Sequence, residues 1–284
     1  MEVVSRTLPD SRIAKCERCR VRKASFCRLV EGTDFTELAS ISHIRSFRAG
    51  ETIIAQDERS KIAGNVVSGV LKLVKSLSDG RTQIVGLLYP ADFFGRLYEG
   101  GAGYSVEAAV DVELCCIDRA VFEDFLYRHP AIMQELYVES LGMLDNAHER
   151  IMLLACQSTL ERLAAYLAMR LLQTERDIKQ KQPGQRVVVN SLISRKDFAG
   201  YLGTTPETIS RNVQYLSRAG IIRILDSEQF EVLKRRQLFE LSGQSEEEWA
   251  ASGVTRADRR STVARQLEVA ARMRKMNPRM LKPV

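Results

Sequence analysis

Six cysteines carry the most distinctive chemistry in this 284-residue chain, and three of them stand on one short segment. Two residues separate Cys16 from Cys19, and Cys27 follows after seven more. Thiolates bind zinc and iron–sulfur clusters, and a cluster usually takes four of them. The lysines and arginines around these cysteines are expected to lower the thiol pKa values and to offset a cluster's negative charge. Zinc bound by the same cysteines, or a disulfide between two of them, is also compatible with this spacing.

A fourth thiolate has to come from elsewhere, and the adjacent Cys115 and Cys116 offer it. Alternation along a strand puts four residues on one apolar face: Val110, Val112, Leu114 and Cys116. That face should point into a barrel, so Cys115 points outward, where the N-terminal segment can lie. We therefore predict Cys115 as the fourth ligand, although a strand that ends or bulges here would favour Cys116. Cys156 is expected to be a small buried apolar residue.

A second group of functional side chains follows Ser194. Ser194 has the residue type of a helix N-cap, and Gly203 ends the helix that it begins. Thr205 caps the next helix, with Pro206 at its first position. Two short helices joined by a tight turn are typical of a helix-turn-helix. Its expected core consists of Phe198, Leu202, Ile209, Val213 and Leu216.

The second of these helices has polar residues near its N-terminal end, on the side away from that core: Glu207, Thr208, Ser210, Arg211 and Asn212. This part of a recognition helix enters the major groove of DNA. Arg211 can bind a guanine bidentately, and Glu207 can accept a hydrogen bond from a cytosine amine. Two short strands of a wing follow. A helical hairpin with solvated charges is the alternative, but cap, turn, polar face and wing occur together, which favours DNA binding.

The elements that position these residues are predicted to form five parts: a cysteine-bearing segment at 1–33, a β-roll at 34–128, a dimerisation helix at 129–158, a winged helix-turn-helix at 159–242 and a C-terminal extension at 243–284. Apolar residues recur at helical spacing over 34–47. Over 48–118, short apolar runs alternate with turn residues, and Asp79-Gly80 marks a hairpin. The fold class is therefore α+β, with a small antiparallel barrel or jelly roll.

A long helix is expected over 131–157, which contains no proline and a single glycine. Residues at steps of three and four form a stripe close to a coiled-coil seam. Such a helix extends beyond what one small barrel can cover, so we predict a homodimer rather than packing on its own barrel. The predicted interface contains Leu141, Leu144, Asp145, His148 and Ile151.

From the first cysteines to about residue 240, these features resemble the CRP/FNR family of bacterial transcription regulators. The motif Pro-Glu-Thr-Ile-Ser-Arg at 206–211 carries the Glu-x-x-Ser-Arg signature of its FNR branch. The resemblance implies a β-jelly-roll like those that bind cyclic nucleotides, a dimerisation helix and a winged helix-turn-helix. It implies that Glu207, Ser210 and Arg211 read a TTGAT-type half-site repeated as an inverted palindrome, and that the regulator contacts RNA polymerase.

The same resemblance implies an oxygen-labile [4Fe-4S] cluster with Cys115 as the fourth ligand. An intact cluster would pin the N-terminal segment and bias the long helix toward a dimer that is competent for DNA binding. Cyclic AMP is not expected to bind: Arg96 replaces the family's glutamate after Gly95, and Gly103-Tyr104-Ser105 lacks the phosphate-binding arginine. The alternative is a regulator of this family that senses haem, nitric oxide, thiol redox state or zinc through the same cysteines or barrel.

Composition restricts the remaining possibilities. The net charge of +6 and the pI of about 9.0 are compatible with a nucleic-acid partner. The sequence has no run of eighteen apolar residues and no secretion signal, so a cytoplasmic protein without a membrane span is expected. It offers no nucleophile–base pair or Walker loop, which argues against an enzyme. Its three histidines, at 43, 129 and 148, are expected in helical contexts at the surface or an interface.

Overall fold

The computed structural model describes residues 10–98, 100–177 and 187–245. The chain divides into two compact units, one holding residues up to 140 together with 191–211, the other holding 141–190 and the residues from 212 onward. None of the helices in the described ranges has the length and apolar character needed to cross a membrane. The predicted C-terminal extension lies outside these ranges from residue 246 onward.

The first unit begins with helix α1 (Asp10–Glu17) and two 3-10 turns, Arg22–Ala24 and Phe26–Leu29. Helix α1 was not predicted, because its eight residues hold too few apolar positions to give a periodic signal. Helix α2 spans Gly32–Ile41. The helix predicted over 34–47 is therefore wrong beyond Ile41, because the following residues form a strand paired with the end of the barrel.

Eight strands within the described residues form two four-stranded antiparallel sheets: β1 (Ser42–Phe47), β2 (Thr52–Ile54), β3 (Ile62–Ser68), β4 (Leu71–Ser76), β5 (Thr82–Leu88), β6 (Phe93–Phe94), β7 (Ser105–Ala108) and β8 (Val112–Asp118). One sheet has the order β1-β8-β3-β6, and the other has the order β2-β7-β4-β5. The predicted barrel-like fold is thus confirmed, as is the hairpin between β4 and β5 at Asp79-Gly80.

Two helices follow the barrel: α3 (Arg119–Arg128) and α4 (Pro130–Cys156). The carboxylate of Asp118 caps α3 by accepting hydrogen bonds from two backbone N–H groups. Ile132 and Leu136, in the first half of α4, are buried in one apolar core with Phe26 of the N-terminal segment and Phe122 of α3. This core therefore joins the cysteine-bearing segment to the beginning of the long helix.

The helix-turn-helix consists of α6 (Arg195–Leu202) and α7 (Pro206–Arg218), which follow α5 (Thr159–Asp177) and β9 (Val188–Asn190). After α7 come β10 (Ile222–Ile224), β11 (Gln229–Val232) and α8 (Arg235–Leu241). The second unit contains a three-stranded antiparallel sheet of order β10-β11-β9, which includes the two predicted strands of the wing. The guanidinium of Arg162 donates to the carbonyls of Leu153 and Leu154, which satisfies acceptors at the end of α4.

Candidate functional site

The four cysteines predicted as ligands come from three places in the first unit. Cys16 lies in the last turn of α1 and Cys19 just after it, Cys27 lies in the second 3-10 turn, and Cys115 lies in β8. All four are free, partly buried thiols. Burial raises the pKa of the Cys115 thiol, and the charges of Cys27, Cys16 and Cys19 raise it further. The fold thus places the four side chains within electrostatic reach of one another.

Three of these thiols, those of Cys16, Cys27 and Cys115, have a pKa above that of ordinary cysteine. Burial raises the pKa of Cys16 although Arg22 opposes the shift, and it raises the pKa of Cys27 to about 11. The expectation that basic neighbours lower these pKa values was wrong. Lys15 and Arg18 are exposed to solvent, so the cost of desolvating a thiolate outweighs their attraction.

The adjacent cysteines of β8 lie on opposite faces of its sheet. Cys116 is fully buried together with Leu114 and Val112, as strand alternation predicts, whereas Val110 is only partly buried. Opposite Cys116 lies Gly64 of β3, where a Cβ atom would come 1.8 Å from the carbonyl oxygen of Cys115. Glycine therefore allows the two strands to approach closely at the cysteine pair. Cys115 is the member of the pair that faces the N-terminal cysteines.

Side chains of the N-terminal segment pack against helices α2, α3 and α4 of the first unit. Phe26 is 1% exposed, and its ring centroid lies 5.3 Å from that of Phe122. The guanidinium of Arg22 lies 4.0 Å from the centroid of the Phe35 ring. Arg28 is paired with a glutamate of α4. These contacts fix the backbone on either side of Cys27.

Sequence reasoning missed one polar residue beside the cysteines. Asn65 of β3 is 2% exposed, and its Nδ2 donates a hydrogen bond to the sulfur of Cys27 over 3.6 Å. The available signal was the residue type itself, because asparagine is depleted in strand interiors.

The ligand geometry that a metal centre needs differs between a single ion and a cluster. Among the residues that the structure describes, no three histidine, cysteine, aspartate or glutamate side chains converge as ligands of one metal ion would. Zinc requires its ligands at about 2.0–2.3 Å from one point. A cluster instead distributes its thiolates over separate iron atoms.

The caps predicted for the helix-turn-helix are confirmed. The hydroxyl of Ser194 accepts a hydrogen bond from the backbone N–H of Asp197 at 3.1 Å. Gly203 ends α6 in the left-handed region with φ 64°, which glycine adopts at little cost. Thr205 Oγ1 accepts from the N–H of Thr208 at 3.3 Å. The residues predicted as the core of this motif are all buried: Phe198, Leu202, Ile209, Val213 and Leu216.

The polar face of α7 is largely open to solvent. Glu207, Ser210 and Arg211 are exposed, and Thr208 is half-buried. Hydrogen bonds from its own backbone N–H and from the Thr205 hydroxyl lower the pKa of Glu207, and Arg211 adds to this effect. Nη2 of Arg211 donates to the hydroxyl of Thr208 at 3.2 Å. The helix therefore presents an ionised carboxylate and a guanidinium one turn apart.

The sequence predicted Asn212 as a member of this exposed group, but in the structure it does not belong to it. Its side chain is on the side of α7 that faces α5, and Nδ2 donates to the hydroxyl of Thr159 at 3.1 Å. Asn212 therefore contributes to the packing of α7 on α5.

The second half of α4 presents an apolar stripe to solvent in the single chain. Leu141, Leu144 and Ile151 are 44%, 51% and 62% exposed, and Asp145 and His148 are exposed beside them.

Two other expectations need correction. Cys156 was expected to be buried, but it is exposed at the end of α4. Of the histidines predicted in helical contexts, His43 lies in β1 because its segment pairs with β8, whereas His129 does lie in such a context, as the C-cap of α3. His148 does lie within α4.

Comparison with known proteins identifies both functional parts. Residues 44–129 match the cyclic nucleotide-binding domain, and residues 161–241 match the Crp-like helix-turn-helix domain. This combination, in which a cyclic nucleotide-binding domain precedes a Crp-like helix-turn-helix, defines a transcription regulator.

The transcriptional activator protein FnrL of Cereibacter sphaeroides is 32% identical over 210 residues, which cover 74% of this chain and 84% of FnrL. The nitrogen fixation regulation protein FixK of Bradyrhizobium diazoefficiens is also 32% identical over 210 residues, or 74% of this chain and 86% of FixK. The structure of FixK2 from Bradyrhizobium japonicum superposes with a TM-score of 0.62 at 28% identity, covering 71% of this chain and 97% of FixK2. The chain belongs to the CRP/FNR family of transcription regulators. It is of the FNR/FixK type, whose members are regulators and not enzymes.

Proposed function

We propose that this protein is an oxygen-responsive transcription regulator that binds DNA as a homodimer when it holds an intact [4Fe-4S] cluster. The proposed ligands are Cys16, Cys19, Cys27 and Cys115. The observation that carries the proposal is the grouping of four free thiols from the N-terminal segment and β8. FNR-type reading residues on the exposed face of α7 support the same assignment.

A bound cluster would supply an oxygen-labile link between two parts of the first unit. Cys115 belongs to a central strand of its sheet, so it offers a fixed attachment point. The other three cysteines lie within a segment of twelve residues. Their joint ligation would fix that segment relative to β8.

The segment is also connected to the dimerisation helix. Phe26 and Arg28 flank Cys27, and both contact the part of the unit that begins α4: Phe26 lies in the core shared with Leu136, and Arg28 pairs with Glu135. A change in the segment's position would therefore alter the first half of α4. Because the exposed stripe lies on the second half of the same helix, we propose that cluster loss weakens the dimer.

A homodimer would present two copies of α7 to the two halves of an inverted repeat. Arg211 would read a guanine through two hydrogen bonds, Glu207 would accept from a cytosine amine, and Ser210 and Thr208 would complete the contacts to a TTGAT-type half-site. The exposed hairpin at Ser78-Asp79-Gly80 is the proposed contact with RNA polymerase. A regulator of this kind would act in the cytoplasm.

The thiol chemistry favours a cluster over a simple disulfide switch. A redox-active cysteine is usually a thiolate at neutral pH. Burial instead raises the pKa of Cys16, Cys27 and Cys115, which makes their thiolates less accessible in the metal-free protein.

Anaerobic purification tests the cluster directly. The protein should contain about four irons per chain with matching sulfide, and serine substitution of any proposed ligand should remove the cluster. Cys156→Ser and Cys116→Ser are the matched controls and should retain it. Stoichiometric zinc without iron and sulfide would contradict the proposal. Loss of the cluster in Cys116→Ser but not in Cys115→Ser would reassign the fourth ligand.

A further inference from the structure

Asn65 lies between cysteines that come from two different parts of the chain. Its Nδ2 donates to the sulfur of Cys27 over 3.6 Å. In the register between β3 and β8 it is also the direct partner of Cys115. Directly paired residues on adjacent antiparallel strands have Cβ atoms about 4.5–5.5 Å apart. One side chain thus neighbours a cysteine of the N-terminal segment and the cysteine of the sheet.

Packing does not explain an asparagine at this position. The side chain is 2% exposed, and its Oδ1 is buried without a hydrogen-bond partner among the described residues. A buried acceptor without a partner destabilises the folded state, and a leucine of similar size would avoid that cost. Asparagine is also unfavourable within a strand. The group that leucine would lack is the amide N–H that faces Cys27.

We infer that Asn65 is a positioning residue for the cluster, acting through the Cys27 thiolate; the inference rests on the function proposed above. A thiolate that binds iron has no proton and can only accept a hydrogen bond, so the amide nitrogen is the atom of Asn65 that must face it. Donation to the sulfur fixes its orientation and withdraws electron density from it. Hydrogen bonds to ligand sulfurs set the potential of such centres and the hold of the protein on them.

Two substitutions by side chains of similar size distinguish the contribution of the amide N–H from the contribution of side-chain volume. Asn65→Leu removes both polar atoms, and Asn65→Asp replaces the donor with a carboxylate oxygen that repels an anionic sulfur. Ser68→Ala is the matched control on the same strand, because the Ser68 hydroxyl donates to the carboxylate of the exposed Glu113 at 3.3 Å. The unfolding temperature of each iron-free protein reports separately on packing.

The measurements are the iron and sulfide content, the reduction potential of the cluster in anaerobic protein, and the rate at which cluster absorbance decays after a fixed addition of oxygen. We expect a lower potential and roughly 10-fold faster decay in Asn65→Leu, a larger effect in Asn65→Asp, and wild-type values in Ser68→Ala. These shifts should occur without a fall in the unfolding temperature of the iron-free Asn65→Leu protein.

The outcomes separate this inference from the proposed function. Wild-type protein that lacks iron and sulfide would overturn both. A wild-type protein with a cluster, combined with an Asn65→Leu protein of unchanged potential and decay rate, would overturn the role of Asn65 alone. If Asn65→Leu and Asn65→Asp lost the cluster and both also had a lower unfolding temperature, Asn65 would have a packing role. That result would overturn its role in positioning the cluster as well.

Discussion

The guanidinium of Arg28 donates to the carboxylate of Glu135, with Nη2 and Oε1 2.7 Å apart. Arg28 directly follows Cys27, and Glu135 belongs to the first half of α4, so this ion pair connects the cysteine segment to the long helix. The Glu135 side chain is only 10% exposed. For Arg28→Ala we expect the free energy of unfolding of the iron-free protein to fall by about 1–3 kcal/mol, because a largely buried carboxylate loses its cation. Denaturant unfolding measures this loss.

The same variant tests the connection to the dimer. Arg28→Ala should keep its iron while the difference in dimer affinity between cluster-containing and iron-free protein shrinks. Arg128→Ala is the matched control, since Arg128 pairs with Glu37 on the surface, where the side chains are 53% and 37% exposed. An exposed pair is screened by water and contributes little. Equal effects of the two substitutions would contradict a specific role for Arg28.

Base reading by α7 gives the second prediction. Glu207→Ala and Arg211→Ala should each weaken binding to the specific site by about 10- to 100-fold and relax the preference at one base pair. Both side chains are exposed, so neither change should disturb the buried face of the helix. Competition binding with single-base variants of a TTGAT inverted repeat measures the effect.

Arg218→Ala, at the exposed end of the same helix, serves as the control for loss of charge alone. A side chain that touches only phosphate lowers the affinity for all sequences alike. If Glu207→Ala and Arg211→Ala behaved in that way, with equal losses on specific and random DNA, base reading would have to be assigned to other residues.

The buried thiols predict how the stability of the iron-free protein depends on pH. Burial raises the pKa of Cys27 and of Cys116 to about 11 each, whereas a thiol in the unfolded chain has a pKa of about 8.5. At pH values below the pKa of the unfolded chain, both thiols are neutral in both states, and their contribution to the free energy of unfolding is fully present. As the pH rises toward 11 the unfolded chain loses its protons first, so the folded state loses that contribution.

We therefore expect the free energy of unfolding of reduced, iron-free protein to decrease between about pH 8.5 and 11. Cys116→Val removes one of these thiols within the barrel, and the decrease should then be smaller. The difference between the two proteins isolates this thiol from other groups that titrate in the same range. Parallel stability curves for wild type and variant would refute the prediction.

Local patterns were sufficient to predict much of this fold. The outward position of Cys115 follows from alternation of buried residues along β8, and the caps at Ser194 and Gly203 follow from residue type and position. The error over 42–47 has a physical cause. Ile44 continues the helical spacing of α2, but its pairing with Cys115, far along the chain, decides that it lies in a strand.

The parts of the candidate site that the sequence did not predict depend on contacts between residues far apart in the chain. Arg28 and Glu135 are 107 positions apart, and Asn65 is 38 positions from Cys27. No spacing rule links such pairs. The direction of the thiol pKa shifts was also wrong, because composition shows the nearby charges but not the depth to which Cys27 is buried.

The exposed stripe of α4 gives the last prediction. Leu141, Leu144 and Ile151 are exposed in the single chain, so burial of these side chains requires another surface. A two-fold interface brings the same patch of each subunit together, and Asp145 then approaches its own copy. Like charges in a partly dry seam oppose association. We expect Ile151→Glu to abolish dimerisation and DNA binding, and Asp145→Ala to strengthen the dimer of the iron-free protein.

Sedimentation of the iron-free protein over a range of concentrations measures both effects. Tyr127→Glu is the matched control, because it introduces a charge at a side chain that is 83% exposed and belongs to α3 rather than to α4. It should leave the association constant unchanged. The opposite signs for Ile151→Glu and Asp145→Ala matter, since a general loss of folding would weaken association in both. An Ile151→Glu protein that stays dimeric at micromolar concentration would exclude this face of α4 as the interface.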